Sequence, residues 1–356
     1  MLAAILIALI SLVGLIVIHE LGHFLVALAF KMPVEEFGIG LPPRLASWKI
    51  GSVLFSLNLL PFGAFVRIQG EEKNGEGFSL FPAWQQALVL VAGVAANWLT
   101  AVVLFALVAG IWGLPYAVSD QAAASQARLQ VTGVMAETPA EKGGLKIGDW
   151  LTGMGTTGEI KAVNHLQDFT NFIDQHRGEE IRLQVERPAG EMVVSLIPRE
   201  SPPPGEGAIG ISFARVEVKN YSWWQAPATG FLAAVNQTIA IPLSLSTFVS
   251  QWLRHQPVPG AELVGPIGLG QMVGQTLQLG WGYLLQFVAM IAVYLSLFNI
   301  LPLPALDGGR LAFLAIEGVR GKPISVKVKE NLNGAFFAFF ILLMFLVTFK
   351  DLIGLF

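Results

Sequence analysis

Long apolar runs with almost no charge constrain this chain more than any other feature. Four are long enough to cross a bilayer: about Ala3 to Phe30, Ala83 to Trp112, Gly282 to Leu306 and Asn333 to Phe349. Each is near the roughly 20 residues that a spanning helix needs. Trp84, Trp112 and Trp281 stand near their ends, as interface anchors do. Only 13% of the 356 residues are charged and 54% are hydrophobic, about half the charge of a soluble domain. A soluble fold that poor in charge would expose large apolar patches, which a bilayer covers instead. Met1–Ile18 lacks the basic start and small-residue cleavage site of a secretory signal, so a retained span is expected. No basic run is long enough for nucleic-acid binding. The absence of Cys excludes disulfides and thiolate metal sites, which leaves His, Asp and Glu as metal ligands.

The loop after the third run carries Arg310, Arg320, Lys322, Lys327 and Lys329 against Glu317 and Glu330, which marks it as cytoplasmic. With four spans, the N-terminus and the middle of the chain lie outside. The His19 and Asp307 ends then share the cytoplasmic side. A fifth apolar stretch, Gln225–Leu253, contains Pro227, Pro242 and many polar residues. A fifth span would separate those two ends, so the expectation is a helical region on the outer membrane surface, anchored by Trp223 and Trp224.

Two regions do not read as spans. Glu35–Gly70 is punctuated by Gly and Pro around an aliphatic and aromatic centre, which predicts a membrane-associated β-region. From about Ala127 to Arg199 the composition is that of a soluble domain. Strand-like runs Leu129–Met135, Ile181–Glu186 and Glu191–Ile197 flank a helical pattern at Leu166–Gln175, and Ser201–Gly205 closes the region as a Pro-rich linker.

The chemistry concentrates in His19-Glu20-Leu21-Gly22-His23. On a helix, positions i and i+4 share a face, so both imidazoles can reach one ion with Glu20 beside them. The bland alternative is an ion-pair or interhelical hydrogen-bond cluster, but ionisable residues inside a span mark function. A catalytic zinc needs a third protein ligand and an open position. His165, His176 and His255 lie in the presumed external parts. Asp307, in Leu301-Pro302-Leu303-Pro304-Ala305-Leu306-Asp307-Gly308-Gly309-Arg310, stands where Pro and Gly break the helix and a carboxylate can turn inward. The alternative there is a helix C-terminal turn with Asp307 paired to Arg310.

Together, HExxH in the first span, an inserted domain and the late motif Asn299-x-x-Pro302-x-Pro304-x-Leu306-Asp307-Gly308-Gly309 resemble the bacterial site-2 protease family, of the regulator of sigma-E protease type. Phe65–Glu71 resembles that family's strand after the first span, with Gly63-Ala64 where a Gly-Gly pair is commoner. Thr138–Asp149, above all Leu145-x-x-Gly148-Asp149, resembles a PDZ module, although Gly143-Gly144 replaces the usual Ala-Gly. Such a module either takes a peptide C-terminus as an added strand or acts as a size filter over the active site.

The resemblance implies a polytopic α-helical membrane protein with about four transmembrane helices and one inserted PDZ-like α+β domain. The divisions are 1–119 and 282–356 for two halves of a membrane protease core, 120–200 for the PDZ-like domain, and 201–281 for a linker and membrane-surface helical region. It implies Zn2+ held by His19, His23 and Asp307, with Glu20 as catalytic base. Asn299, with Pro302 of the same motif, would handle substrate. Asn97 is a second candidate, whose alternative is a simple bond across closely packed helices. The implied partners are the lipid bilayer and single-span membrane proteins, such as anti-sigma factors or signal-peptide remnants, cut in the bacterial inner membrane. The active site would face the cytoplasm and the PDZ-like domain the other side. Rival readings are a membrane metal carrier and an inactive PDZ-bearing scaffold.

Overall fold

A computed structural model of the chain describes residues 2–70, 76–121, 127–135, 137–156, 158–188, 190–203, 206–254 and 265–353. Glu71, Pro204, Gly205 and His255, named above, lie outside these. The chain opens with helix α1 (Leu2–Ala29), two long strands β1 (Val34–Ile50) and β2 (Val53–Ile68), and helix α2 (Ala83–Ile111). Next come β3 (Leu114–Ala117), β4 (Arg128–Val134), α3 (Pro139–Lys142), β5 (Trp150–Gly155), β6 (Ile160–Ala162), α4 (Leu166–Gln175), β7 (Ile181–Arg187), β8 (Gly190–Leu196) and β9 (Ile211–Lys219). Helices complete it: α5 (Ala226–Leu253), α6 (Pro266–Leu279), α7 (Trp281–Ile300), α8 (Asp307–Arg320) and α9 (Val326–Ile353).

Strands β1 and β2 form their own sheet, as the Gly- and Pro-punctuated sequence predicts. The start of β1 pairs on both sides: Phe37 lies opposite Phe55 and also opposite Val66, and Gly38 opposite Ser56 and Phe65. The Ala64–Ile68 half of β2 is therefore an edge, paired to β1 on one side and turned towards α1 on the other. The middle domain is a sheet in the order β3-β9-β4-β5-β7-β8, with β6 on β5. Phe169 and Ile173, one turn apart on α4, bury against Leu129, Leu151, Leu183 and Val194 of the strands. In β5 and at the start of β7, buried positions alternate with more exposed ones, as the period of a half-buried strand requires. The domain rests on the helices where Gln130 donates to the Tyr283 hydroxyl at 2.9 Å.

The helical bundle is built on α2 and α7. Ala101, Phe105, Val108 and Ala109 of α2 pack against Leu284, Val288, Ala292 and Val293 of α7. Small residues allow the close approach that association in lipid depends on. Among the described residues, five helices, α1, α2, α5, α7 and α9, are long and apolar enough to cross a membrane by length and composition.

The stretch expected on the outer surface is a helix packed along α2. Gly110 meets Ala226, Gly230 lies against the backbone of Val102 and Ala106, and the Trp98 indole donates to Thr238 Oγ1 at 3.0 Å. Helix α5 thus runs antiparallel to α2 from its last turn to its middle, on the flank of the bundle. The charge argument against this arrangement assumed that the chain passes from α5 straight into the next span. Instead α6 intervenes. Its last residue, Leu279, abuts Gly148 of the sheet domain, and Gly282 at the start of α7 abuts Trp112 at the end of α2. The α5–α6 pair begins and ends beside the same end of α2, so the HExxH and Asp307 ends stay together.

A second difference concerns the third apolar run. Helix α7 stops at Ile300 rather than continuing to Leu306, because Pro302 and Pro304 cannot extend it. Asp307 is the first residue of α8, not part of a helix C-terminal turn.

Candidate metal centre

Helix α1 carries His19 and His23 one turn apart, facing α2. The helices meet there because neither brings a side chain to the contact. A Cβ on Gly22 would lie 2.4 Å from the Ala92 carbonyl oxygen, and one on Gly93 would lie 2.3 Å from His23 Nε2 and 2.8 Å from His19 Cε1. Gly93 is thus the floor on which the imidazoles rest. Asp307 arrives by a tight fold of the chain after α7. A Cβ on Gly308 would lie 2.1 Å from the Leu301 carbonyl oxygen, so only glycine lets the turn close. Ala305 takes a left-handed φ of 71° in the same turn, a conformation that costs a non-glycine residue. Asn333 of α9 accepts the Ala305 N–H at 2.9 Å and steadies it.

The three side chains converge. His19 Nε2 lies 2.9 Å and His23 Nε2 3.3 Å from Asp307 Oδ2, and the two Nε2 atoms are 3.1 Å apart. All three residues are buried. Three ligand atoms about 2.0–2.1 Å from one tetrahedral ion stand roughly 3.3 Å from each other, so the spacing fits zinc. The chemistry of the donors fits as well. His23 Nδ1 donates to the Val89 carbonyl at 2.7 Å, which fixes the tautomer that presents an Nε2 lone pair. Asp307 Oδ2 is buried without a hydrogen bond of good geometry despite its two close imidazoles. Leaving an aspartate in a span without compensation costs roughly 3 kcal/mol, which an ion at the common centre would offset. Among the described residues, this is the cluster of three His, Asp or Glu side chains whose ligand atoms converge in this way.

A cavity of about 390 Å³ opens beside the cluster, lined by Glu20, Phe65, Val66, Asn97, Asn299 and Arg310 among others. Glu20 Oε2 accepts the backbone N–H of Val66 at 3.1 Å. Asn97 is buried and its Oδ1 has no hydrogen-bond partner among the described residues. The bond across the α2–α7 contact is made instead by Ser296, whose hydroxyl donates to the Val94 carbonyl at 3.1 Å. Asn299 lines the cavity, whereas Pro302 lies exposed in the following turn, outside the cavity wall. His165 and His176 belong to the sheet domain, where they contact Asp120 and the Phe172 carbonyl. Sequence reasoning did not single out Val66 as a partner of Glu20, nor Asn333. Both act through contacts between elements far apart in the chain; Val66 lies in the strand motif Phe65–Glu71, which does not reveal its partner, and Asn333 lies in no motif.

A second cavity, about 630 Å³, shares Leu90 and Arg310 with the first and extends between α8 and α9 towards Glu317, Lys329 and Asn333.

Comparison with known proteins agrees with the geometry. A model of the family described as Peptidase family M50 matches residues 7–343. A Clostridium perfringens protein, a zinc metalloprotease by name, is 31% identical over 97% of each chain. The zinc metalloprotease RasP of Oceanobacillus iheyensis is 25% identical over 96% of this chain and 97% of its own. The regulator of sigma-W protease RasP of Bacillus subtilis is 27% identical, covering 96% of each.

Proposed function

Since the chain belongs to peptidase family M50, of the bacterial site-2 protease type, and is thereby a zinc-dependent protease with apolar helices long enough to span a membrane, we propose that it cuts the transmembrane segments of single-span membrane proteins at the His19–His23–Asp307 centre. The convergence of these three side chains beside Glu20 carries the reading. His19, His23 and Asp307 would hold the zinc, which when bound would supply Lewis acidity towards a water and the scissile carbonyl. Glu20 takes the proton from the attacking water and delivers it to the leaving amine nitrogen. The water's oxygen bonds the carbonyl carbon, the amide breaks at its C–N bond, and the products are a carboxylate and an amine.

A helical substrate hides its carbonyls in its own hydrogen bonds, so the cut segment must first unwind. The free edge of β2 beside the cavity accepts the unwound chain as an added strand. Asn97 and Asn299 bind its main chain. The unpartnered Asn97 Oδ1 supports this role over a purely structural one. The substrates are of the anti-sigma factor or signal-peptide remnant class. The site faces the cytoplasm, in keeping with the basic loop after α7, and the sheet domain, a PDZ-like module, lies on the opposite side, where it binds a peptide end or filters substrates by size. The test is Glu20→Gln in the purified chain with a reporter transmembrane peptide. The variant should keep its zinc and lose cleavage by at least about 100-fold. Full cleavage by Glu20→Gln would refute the assignment, and an ion carrier would show no link between Glu20 and peptide hydrolysis.

A further inference from the structure

We propose that the backbone N–H of Val66 is a positioning group for Glu20, so that the edge of β2 orients the base as well as seating the substrate. The inference rests on the reading of Glu20 as general base. It begins from one contact: Val66 N–H donates to Glu20 Oε2 at 3.1 Å, linking residues 46 apart in sequence.

The contact is well placed for this role. Glu20 stands on α1 between the two histidines, and its side chain has three rotatable bonds, each a source of misalignment. Proton transfer needs the carboxylate within hydrogen-bond reach of the water, and a displacement of about 1 Å costs on the order of 100-fold in rate. A long side-chain donor would bring its own freedom to the pairing. A main-chain N–H does not, because the strand that carries it is fixed. Phe37 and Gly38 of β1 pair with Val66 and Phe65, and the same two β1 residues pair with Phe55 and Ser56 on their other side. Below that sheet, Phe24 of α1 stacks edge-on against Phe37 and Phe55, with ring centroids 5.3 Å and 5.9 Å apart, so α1 and the sheet are packed as one unit only four residues from Glu20. The donor is thus preorganised with respect to the helix that carries the base. With Oε2 committed to the strand, Oε1 is the oxygen that takes the proton.

The arrangement also constrains the substrate. A strand N–H already engaged by Glu20 does not pair with an incoming chain. Along the two-residue period of an edge, Ala64 is the next residue to present its groups on the same side. A substrate strand therefore makes its bonds beyond Val66 and passes Glu20 where that ladder is interrupted, which sets the bond to be cut beside the base.

The experiment replaces Val66 by its α-hydroxy acid counterpart through nonsense suppression in the full chain, which turns the N–H into an ester oxygen and leaves the side chain intact. Zinc content, kcat and KM are measured on a reporter transmembrane peptide in detergent, beside Val66→Ala and Glu20→Gln. The expected result is a kcat about 10- to 100-fold lower, with KM and zinc content unchanged. Val66→Ala keeps the N–H, so it should lose less kcat than the ester variant. An unchanged kcat overturns the proposal, as does a raised KM at unchanged kcat, which would make the N–H a substrate donor. If Glu20→Gln is inactive while the ester variant is not, only the Val66 inference fails; if Glu20→Gln is fully active, the base assignment itself fails. Should the ester variant lose zinc, hydrogen exchange decides: the Val66 amide should exchange faster in Glu20→Ala than in the parent, and equal rates overturn the proposal.

Discussion

The sheet domain and the helical bundle both bury charged and polar side chains, and they treat them in opposite ways. In the sheet domain Asp149 is almost wholly buried and fully engaged. Its two oxygens accept Arg187 Nε at 2.5 Å and Nη2 at 2.6 Å, and the Lys146 amide adds a third bond at 2.9 Å. The buried Nε atoms left over there, on Arg199 and Arg215, belong to guanidiniums whose other nitrogens bond Glu206, Gly207, Ser119 and Asp120. In the bundle, among the described residues, His19 Nδ1 and Asn97 Oδ1 are buried without a hydrogen-bond partner, and Asp307 Oδ2 is buried with only the two imidazole nitrogens at 2.9 Å and 3.3 Å, close to one cavity. A buried polar group that is satisfied within the fold is architecture. One left unsatisfied beside a cavity, at several kilocalories of cost, is held for something that binds.

The contrast is broken most sharply by removing one carboxylate from each region. Asp149→Ala strands the Arg187 guanidinium and should destabilise the sheet domain by about 3 kcal/mol, read from thermal unfolding of the full chain in detergent. Asp307→Ala should leave the unfolding temperature of the metal-free chain unchanged or raised, because it removes a carboxylate that the apo fold does not satisfy, while abolishing bound zinc and cleavage. Equal destabilisation by the two would show that Asp307 is a structural group after all.

A smaller change tests the packing beneath the site. Gly93→Ala puts a methyl group where the imidazoles lie, and zinc affinity should fall by at least about tenfold, with helix content by circular dichroism unchanged. Weaker still is the effect of Asn333, which holds the Ala305 turn from α9. Asn333→Leu should weaken zinc binding severalfold, and Ala305→Gly, which removes the cost of the left-handed φ, should restore it. Failure of that rescue would separate α9 from the metal site.

Much of this was legible in the sequence, and the limits have physical causes. Two histidines four apart on an apolar helix can only share a face, so HExxH announces half a metal site. The Pro- and Gly-broken turn at 301–309 announces that the third ligand leaves the helix axis. The strand at 181–186 and the helix at 166–175 are legible from their period because each has one wet face, whereas Leu129, Gln130 and Val131 of β4 are buried in succession and that strand is legible only from its composition. Helix α5 packs along α2 where the charge count favours a surface helix, because such a count registers only net crossings and the α5–α6 pair returns to where it starts. The residues after Leu306 read as a loop because Arg310, Arg320 and Lys322 make them basic, whereas Asp307–Arg320 forms helix α8. The roles of Gly93, Val66 and Asn333 were out of reach, since each depends on which two elements touch and not on local pattern.

The smallest expected effect lies in the satisfied region. Burial works to raise the Asp120 carboxyl, but the amides of Leu166 and Gln167, with His165 beside them, outweigh it and hold it below the usual carboxylate range. A carboxyl with a lowered folded-state pKa stabilises fully above its unfolded value near 4 and loses that stabilisation as pH falls through the folded value. Asp120→Asn should therefore lower stability at neutral pH slightly and flatten the acid limb of the unfolding curve below about pH 4. Parallel acid limbs in parent and variant would remove Asp120 from the set of paired groups.

The most direct test of the central claim is X-ray absorption at the zinc edge on the purified chain. The geometry requires one zinc per chain, with two imidazole nitrogens and a carboxylate oxygen at about 2.0–2.1 Å. It also requires the imidazole scattering to halve or vanish in His19→Ala and the bound zinc to be lost in Asp307→Ala. A spectrum without two imidazoles, or one that Asp307→Ala leaves unaltered, would contradict it.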